Sequence, residues 1–92
     1  MKKKATKISV DGKYELVEPT GDKLFTLTEL QKIVGGYIQL VYINDGWYKG
    51  KVMVVDEEGL CKPDPQLNEE ASKIAGQPIV GNVVIISQNQ ID

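Results

Sequence analysis

The sequence predicts a small α+β domain, in which a mostly antiparallel sheet of four to five strands carries two short helices on one of its faces. Short apolar runs separated by Gly, Asn and Asp are typical of strands joined by tight turns. Two other stretches repeat apolar residues at helical spacing and begin with capping residues. With 92 residues, the chain has the length of one domain. The predicted element order is β-β-α-β-β-α-β.

The first two predicted strands form a hairpin around Asp11-Gly12. An Asp-Gly pair accepts the positive φ angles of a type I′ turn, and apolar residues alternate on both sides, in KISV and in KYELV. Pro19 ends the second strand because it cannot donate to a β-ladder. Before the hairpin, residues 1–6 are rich in lysine and are expected to form a frayed basic terminus.

The first helix is predicted from the stretch FTLTELQKIVGG. Thr26 and Glu29 have the spacing of a capping box, in which each side chain accepts a hydrogen bond from the other residue's backbone. Gly35 or Gly36 can adopt the left-handed conformation that ends a helix. The apolar residues fall on one helical face, which consists of Leu27, Leu30, Ile33 and Val34.

Two further strands follow this helix. Residues Tyr37–Ile43 are β-branched or aromatic with few exceptions, which predicts a central strand of the sheet. A turn at residues 44–46 leads to a second apolar strand, Lys51–Val55, which is expected to run antiparallel to the first. The acidic stretch Asp56–Gly59 is then predicted to be another turn.

A second short helix follows the prolines Pro63 and Pro65, which interrupt regular structure. Asp64 could cap it with Pro65 in the first helical position, or Asn68 could cap a shorter version. Gly76 is expected to end it. Its apolar face would contain Leu67, Ala71, Ile74 and Ala75.

The chain is expected to close with a strand over Ile79–Ile86. Gly81 within this strand indicates a bulge or a close backbone contact. Residues 87–92 are mostly polar and are predicted to be a tail. We therefore expect a single domain over residues 1–92.

Composition argues against several partners. The net charge of −2 provides no basic field for phosphates, so a nucleic-acid partner is not expected. The single cysteine excludes an intrachain disulfide and fits a reducing compartment. No apolar run has the length of a membrane span or of a signal peptide core, so no membrane association is expected. These features predict a cytoplasmic protein of a bacterial host cell.

The sequence offers few groups for catalysis. It contains no histidine, which is the commonest general base and metal ligand, and Cys61 therefore has no His to activate it. Asp56, Glu57 and Glu58 are consecutive, and consecutive side chains do not converge on one point in a turn. No enzyme activity, cofactor or metal site is expected.

The stretch NDGWYKGKV is the candidate binding segment. Trp47 and Tyr48 could stack on a flat ring, while Lys49 and Lys51 meet an anion. Asn68 could offer an amide to the same ligand, or it could cap the second helix. Alternatively, Trp47 or Tyr48 folds beneath the turn and covers the end of a small core.

Several short motifs follow one another along the chain: Gly35-Gly36 after a leucine-rich helix, Glu57 to Gly59, Asn68 with Ala71, and Gly81-Asn82-Val83. Their order resembles a small family found in phages, plasmids and bacterial genomes, family 3846 among the domains of unknown function. The resemblance covers roughly Tyr14 to Ile86, and Asn82 stands where an Asp is more usual. It implies a phage or mobile-element accessory protein and implies no reaction.

Three functions remain open at this point. The first is a non-enzymatic binding module that binds or sequesters a host partner or a small nucleotide-like ligand. The second is a structural protein that forms homo-oligomers, such as a homodimer, through a sheet edge at Tyr37–Ile43 or Ile79–Ile86. The third and weakest is a hydrolase that uses the carboxylates of Asp56, Glu57 or Glu58.

Overall fold

Five strands form one antiparallel sheet in the part of the chain that the structure describes. This structure is a computed structural model, and it describes residues 4–21 and 24–91. The strands lie side by side in the order β2-β1-β5-β4-β3. The α+β class and the predicted element order are confirmed. The elements are β1 (Ala5–Ile8), β2 (Tyr14–Val17), α1 (Leu27–Val34), β3 (Ile38–Tyr42), β4 (Val52–Asp56), α2 (Glu69–Ala75) and β5 (Val83–Ile86).

The two helices cover opposite faces of the sheet, so the prediction that both lie on one face is wrong. All residues of β4 and β5 are buried, and consecutive residues point alternately to the two faces. Two separate apolar cores result, because each face needs its own cover. The core under α1 contains Ala5, Phe25, Leu30, Val34, Val52, Val54, Val84 and Ile86. The core under α2 contains Ile8, Ile43, Met53, Val55, Ala71, Ile79, Val83 and Ile85.

Helix α1 begins with the predicted capping box. The Thr26 hydroxyl accepts the backbone N–H of Glu29 at 3.2 Å, and the Glu29 carboxylate accepts the backbone N–H of Thr26 at 3.0 Å. The same carboxylate accepts the backbone N–H of Thr20 at 2.6 Å. Hydrogen bonds from these two N–H groups lower the pKa of Glu29 to about 2. Gly35 ends the helix in the left-handed conformation, with a φ of 87°.

Helix α2 is the shorter of the two versions that the sequence allowed. Asn68 is its N-cap and accepts the backbone N–H of Ala71. Gly76 ends it, as predicted, with a φ of 73°. Asp64 and Pro65 therefore lie before the helix rather than in its first turn.

Strand β3 lies at an edge of the sheet, so its prediction as a central strand is wrong. Its β-branched and aromatic residues are half-buried or exposed, because only β4 pairs with it among the described residues. The last strand is also shorter than predicted and begins at Val83. Gly81 has a φ of 78° and interrupts it, and Val80 pairs instead with Leu67.

Both chain ends contribute more structure than the sequence suggested. The expected frayed terminus is wrong for Ala5 and Thr6, which belong to β1, while residues 1–3 lie outside the described residues. The expected polar tail is also wrong as far as Ile91. Gln90 is buried in a 3-10 turn, and Ile91 pairs with Phe25. Asp92 lies outside the described residues.

Candidate functional site

The candidate site is built on the loop that joins β3 to β4. This loop, residues 44–51, is fixed by its own backbone hydrogen bonds. The N–H of Ile43 donates to the carbonyl of Lys51 at 3.0 Å, and the N–H of Gly50 donates to the carbonyl of Ile43 at 3.0 Å. Gly50 makes this geometry possible because its φ is 91°. The loop holds Trp47 with 93% of its surface exposed.

Three aromatic residues, Tyr14, Trp47 and Tyr48, line a hollow of about 430 Å³ beside this loop. They come from different parts of the fold, since Tyr14 belongs to β2 and the other two belong to the loop. Helix α2 contributes the remaining wall. We call this site the aromatic hollow. Its full lining is Tyr14, Asp45, Gly46, Trp47, Tyr48, Lys73 and Ile74.

A polar network fixes one side of the aromatic hollow. The Tyr14 hydroxyl donates to the Glu70 carboxylate at 3.0 Å, and the Lys73 ammonium lies 3.7 Å from the same carboxylate. Burial, followed by the hydrogen bond to Glu70, raises the pKa of Tyr14. The phenol therefore stays protonated at neutral pH and continues to donate to Glu70. Glu70 also offsets part of the positive charge that Lys73 brings to the hollow.

The four loop residues predicted as ligand contacts divide into two pairs. Trp47 and Tyr48 both line the aromatic hollow, and Tyr48 also packs its half-buried side chain against the core under α2. Tyr48 therefore meets the alternative expectation that one of these rings covers the end of a core, whereas Trp47 is exposed. Lys49 and Lys51 are exposed and do not belong to the lining. The Lys51 ammonium lies 3.5 Å from the Ser87 hydroxyl.

Asn68, the fifth predicted contact, is completely buried and is separate from the aromatic hollow. Its side-chain amide donates to the carbonyls of Ile8 at 3.0 Å and Gly81 at 2.9 Å. Its side-chain oxygen accepts the N–H of Ala71 at 3.0 Å. The capping alternative therefore describes Asn68, and its amide is not accessible to a ligand.

Sequence reasoning missed Tyr14 and Lys73 as parts of the site. Tyr14 is an alternating residue of a hairpin strand, and Lys73 is a polar residue on a helix, so neither has a local signal of function. They meet Trp47 only because of the sheet order and because α2 covers this face. That Tyr14, Lys73 and Trp47 lie on the same face of the sheet follows only from the long-range strand pairing.

The acidic stretch does not form a cluster of carboxylates. The side chain of Asp56 is 4% exposed and pairs with the ammonium of Lys62, and it also accepts the N–H of Glu58 at 2.9 Å. Glu57 and Glu58 are exposed. Within residues 4–21 and 24–91, no group of three or more His, Cys, Asp or Glu residues is placed to hold a metal ion. No helix over the same ranges has the length and apolar character needed to cross a membrane.

Comparison with known families gives a match over nearly the whole chain. The sequence profile of the family described as Domain of unknown function (DUF3846) matches residues 3–92. The chain belongs to this family. Searches for related curated proteins and for related solved structures found no match.

Several residues that carry the family resemblance have structural roles. A Cβ atom on Gly36 would lie 3.1 Å from the Asp56 carboxylate. A Cβ atom on Gly59 would collide with a methyl group of Val80. Asn68 caps α2 and joins it to the sheet. These residues therefore maintain the fold of this chain.

Proposed function

We propose that this chain is a non-enzymatic binding module that holds a small, flat-ringed, nucleotide-like ligand in the aromatic hollow. The observation that carries the proposal is the exposure of Trp47, 93%, on a loop fixed by its own hydrogen bonds. Tryptophan is highly buried on average, so an exposed indole on a loop with a fixed backbone, beside two tyrosines, is typical of a stacking surface.

The charges at the aromatic hollow favour a ligand with few negative charges. Its lining contains one carboxylate, Asp45, and one ammonium, Lys73, and Glu70 partly neutralises the latter. Lys49 on the same loop could add one contact to an anion. This balance suits a nucleoside or a nucleoside monophosphate better than a triphosphate, because each further phosphate would add negative charge near Asp45 and Glu70.

Binding alone would be the activity of such a module. The family resemblance implies an accessory protein of a phage or mobile element, and we propose that it acts by sequestering its ligand in the host cell. A host protein could instead insert a flat side chain into the same hollow. Both versions use Trp47 as the central contact.

Fluorescence titration tests the ligand directly, because Trp47 is the only tryptophan of the chain. Adenosine, AMP and ATP are added separately to the protein. We expect saturable changes in Trp47 emission with adenosine and AMP, and weaker binding of ATP. Unchanged emission with all three up to about 1 mM, the concentration that corresponds to roughly −4 kcal/mol, would contradict the nucleotide-like version.

Calorimetry of two variants separates binding from folding. Trp47→Ala should weaken AMP binding about 5- to 150-fold, since stacking on one aromatic ring contributes roughly 1–3 kcal/mol. Its melting temperature should stay close to that of the wild type because the side chain is exposed. Tyr37→Ala is the matched control, because Tyr37 is also exposed, at 66%, and lies outside the hollow. Equal losses of binding in both variants would refute the assignment.

A further inference from the structure

Strand β3 presents a row of backbone hydrogen-bonding groups at one edge of the sheet, where no further strand pairs with it among residues 4–21 and 24–91. The N–H of Ile43 donates to the carbonyl of Lys51, just before β4, and the Tyr37 carbonyl accepts the N–H of Glu57, just after β4. In an antiparallel sheet, the backbone N–H and C=O groups of successive residues point alternately towards the two neighbouring strand positions. Every second residue from Tyr37 to Ile43 therefore bonds to the β4 side. The residues between them direct their N–H and C=O groups outwards; they are Ile38, Leu40 and Tyr42.

The two edges of the sheet differ in charge. Residues 37–43 contain no charged side chain, whereas β2 at the other edge contains Glu15 and is flanked by Lys13 and Glu18. Charged side chains on an edge strand oppose pairing with another strand, and natural sheets commonly protect their edges in this way. The edge at β3 lacks this protection.

Exposed apolar side chains gather beside the same edge. Tyr37 is 66% exposed, Tyr42 is 58% exposed and Leu60 is 65% exposed. Leu60 shares a hollow of about 110 Å³ with Gln39 and Val41 of β3. A strand added at this edge would cover these side chains and would bond the outward backbone groups.

We propose that β3 pairs antiparallel with β3 of a second copy of this chain, around a two-fold axis at Leu40. This register places Leu40 opposite Leu40 of the second copy and Ile38 opposite Tyr42 of the second copy. All three outward residues of each strand then form directly bonded pairs, with about six backbone hydrogen bonds across the axis. Ile38 and Tyr42 also lie on the same face of the sheet, so their side chains pack together across the axis.

The second copy fits this edge better than other partners do. The neutral strand does not repel itself, and its pattern of outward donors and acceptors is self-complementary. Pairing of β3 with β2 of another copy would leave further edges free and would extend into a filament, whereas the two-fold arrangement closes. The result is a dimer with one continuous ten-stranded sheet, twice the five strands of one chain.

Sedimentation velocity over a range of concentrations tests the dimer. We expect a reversible dimer in the wild type and a dissociation constant raised about tenfold or more in Tyr42→Lys, because the lysine places a charge on the paired edge. Leu16→Lys is the matched control on the other edge, where Leu16 is 65% exposed. A wild type that remains monomeric at about 1 mM, or equal weakening by both variants, would overturn the proposal.

Cysteine cross-linking tests the register. In a Cys61→Ser background, Leu40→Cys should give a covalently linked dimer with a short thiol-specific bifunctional cross-linker, since directly opposite Cα atoms lie about 5.5 Å apart. Leu16→Cys in the same background should not. Circular dichroism confirms that each variant is folded, and cross-linking of both variants alike would refute the register. Trp47→Ala should dimerise like the wild type, which separates this proposal from the one on ligand binding.

Discussion

Replacing Asn68 with Ala removes the side chain that joins α2 to the sheet. In the wild type, Asn68 donates to the carbonyls of Ile8 and Gly81 and accepts the N–H of Ala71, and it is completely buried. Alanine cannot replace any of these bonds. The two carbonyls and the N–H of the first helical turn would then be left without this partner in the interior.

The expected loss of stability is the sum of two contributions. Loss of an N-cap side chain costs about 1 kcal/mol. Loss of the two further hydrogen bonds, of which the one to Ile8 is buried and the one to Gly81 part-buried, costs about 1 kcal/mol each. The free energy of unfolding of Asn68→Ala should therefore fall by about 3 kcal/mol. For a domain of this size, such a change lowers the melting temperature by roughly 12–24 °C. Asn68→Ser should lose about 2 kcal/mol, because serine restores the cap but not the two donors.

Urea denaturation followed by circular dichroism measures these differences. Asn89→Ala is the control, since Asn89 is exposed, and it should change the free energy of unfolding by less than about 0.5 kcal/mol. The reasoning fails if Asn68→Ala loses less than about 1 kcal/mol, or if Asn68→Ser is as unstable as Asn68→Ala. The second result would mean that the cap contributes nothing and that the bonds to the sheet account for the whole effect.

Three further predictions concern stability. The pKa of Glu29 is about 2 in the folded chain and 4.5 as its ordinary value, so Glu29 stabilises the fold above about pH 4.5 and loses this effect as the pH falls towards 2. Glu29→Gln should therefore make the midpoint of urea denaturation depend less on pH between those two values. The same pH dependence in Glu29→Gln as in the wild type would contradict the capping argument. Gly59→Ala should lower the melting temperature because its methyl group would collide with Val80, and adding Val80→Ala should restore part of the loss. Lys62→Met should lower the free energy of unfolding by about 1–3 kcal/mol, because it leaves the buried carboxylate of Asp56 without its ion-pair partner. Lys13→Met removes an exposed ion pair and should change the free energy of unfolding by less than about 0.5 kcal/mol. Similar losses in both variants would show that the buried pair stabilises the fold no more than the exposed pair does.

Local signals in the sequence predicted the elements of the fold. The hairpin turn at Gly12, the Thr26–Glu29 capping box and the glycines that end both helices depend on neighbouring residues only. The type I′ form predicted for the turn is wrong, because that turn needs positive φ at both central residues and Asp11 has no positive φ. Which face of the sheet each helix covers is not determined by neighbouring residues alone. The continuous apolar run of β4, in which Val52 and Met53 face different cores, indicates that both faces of the sheet are covered. The prediction that both helices lie on one face did not use this signal.

The position of β3 at an edge had no local signal, because its residues resemble those of a buried strand. Which strand ends at an edge depends on pairings between distant segments, such as β1 with β5. The same limit applies to the candidate site. Trp47 and Tyr48 stand out in a chain with few aromatic residues, whereas Tyr14 and Lys73 join them only through the tertiary fold.

The most direct test of the binding site is a nuclear magnetic resonance titration of the ¹⁵N-labelled protein with AMP. Trp47 is the only tryptophan, so the spectrum contains one indole N–H signal, and that signal reports on the aromatic hollow. We predict that AMP shifts it in a saturable manner, together with the backbone signals of Tyr14, Tyr48 and Lys73. An indole signal that stays in place, or shifts confined to the hollow beside Leu60, would contradict the proposed site.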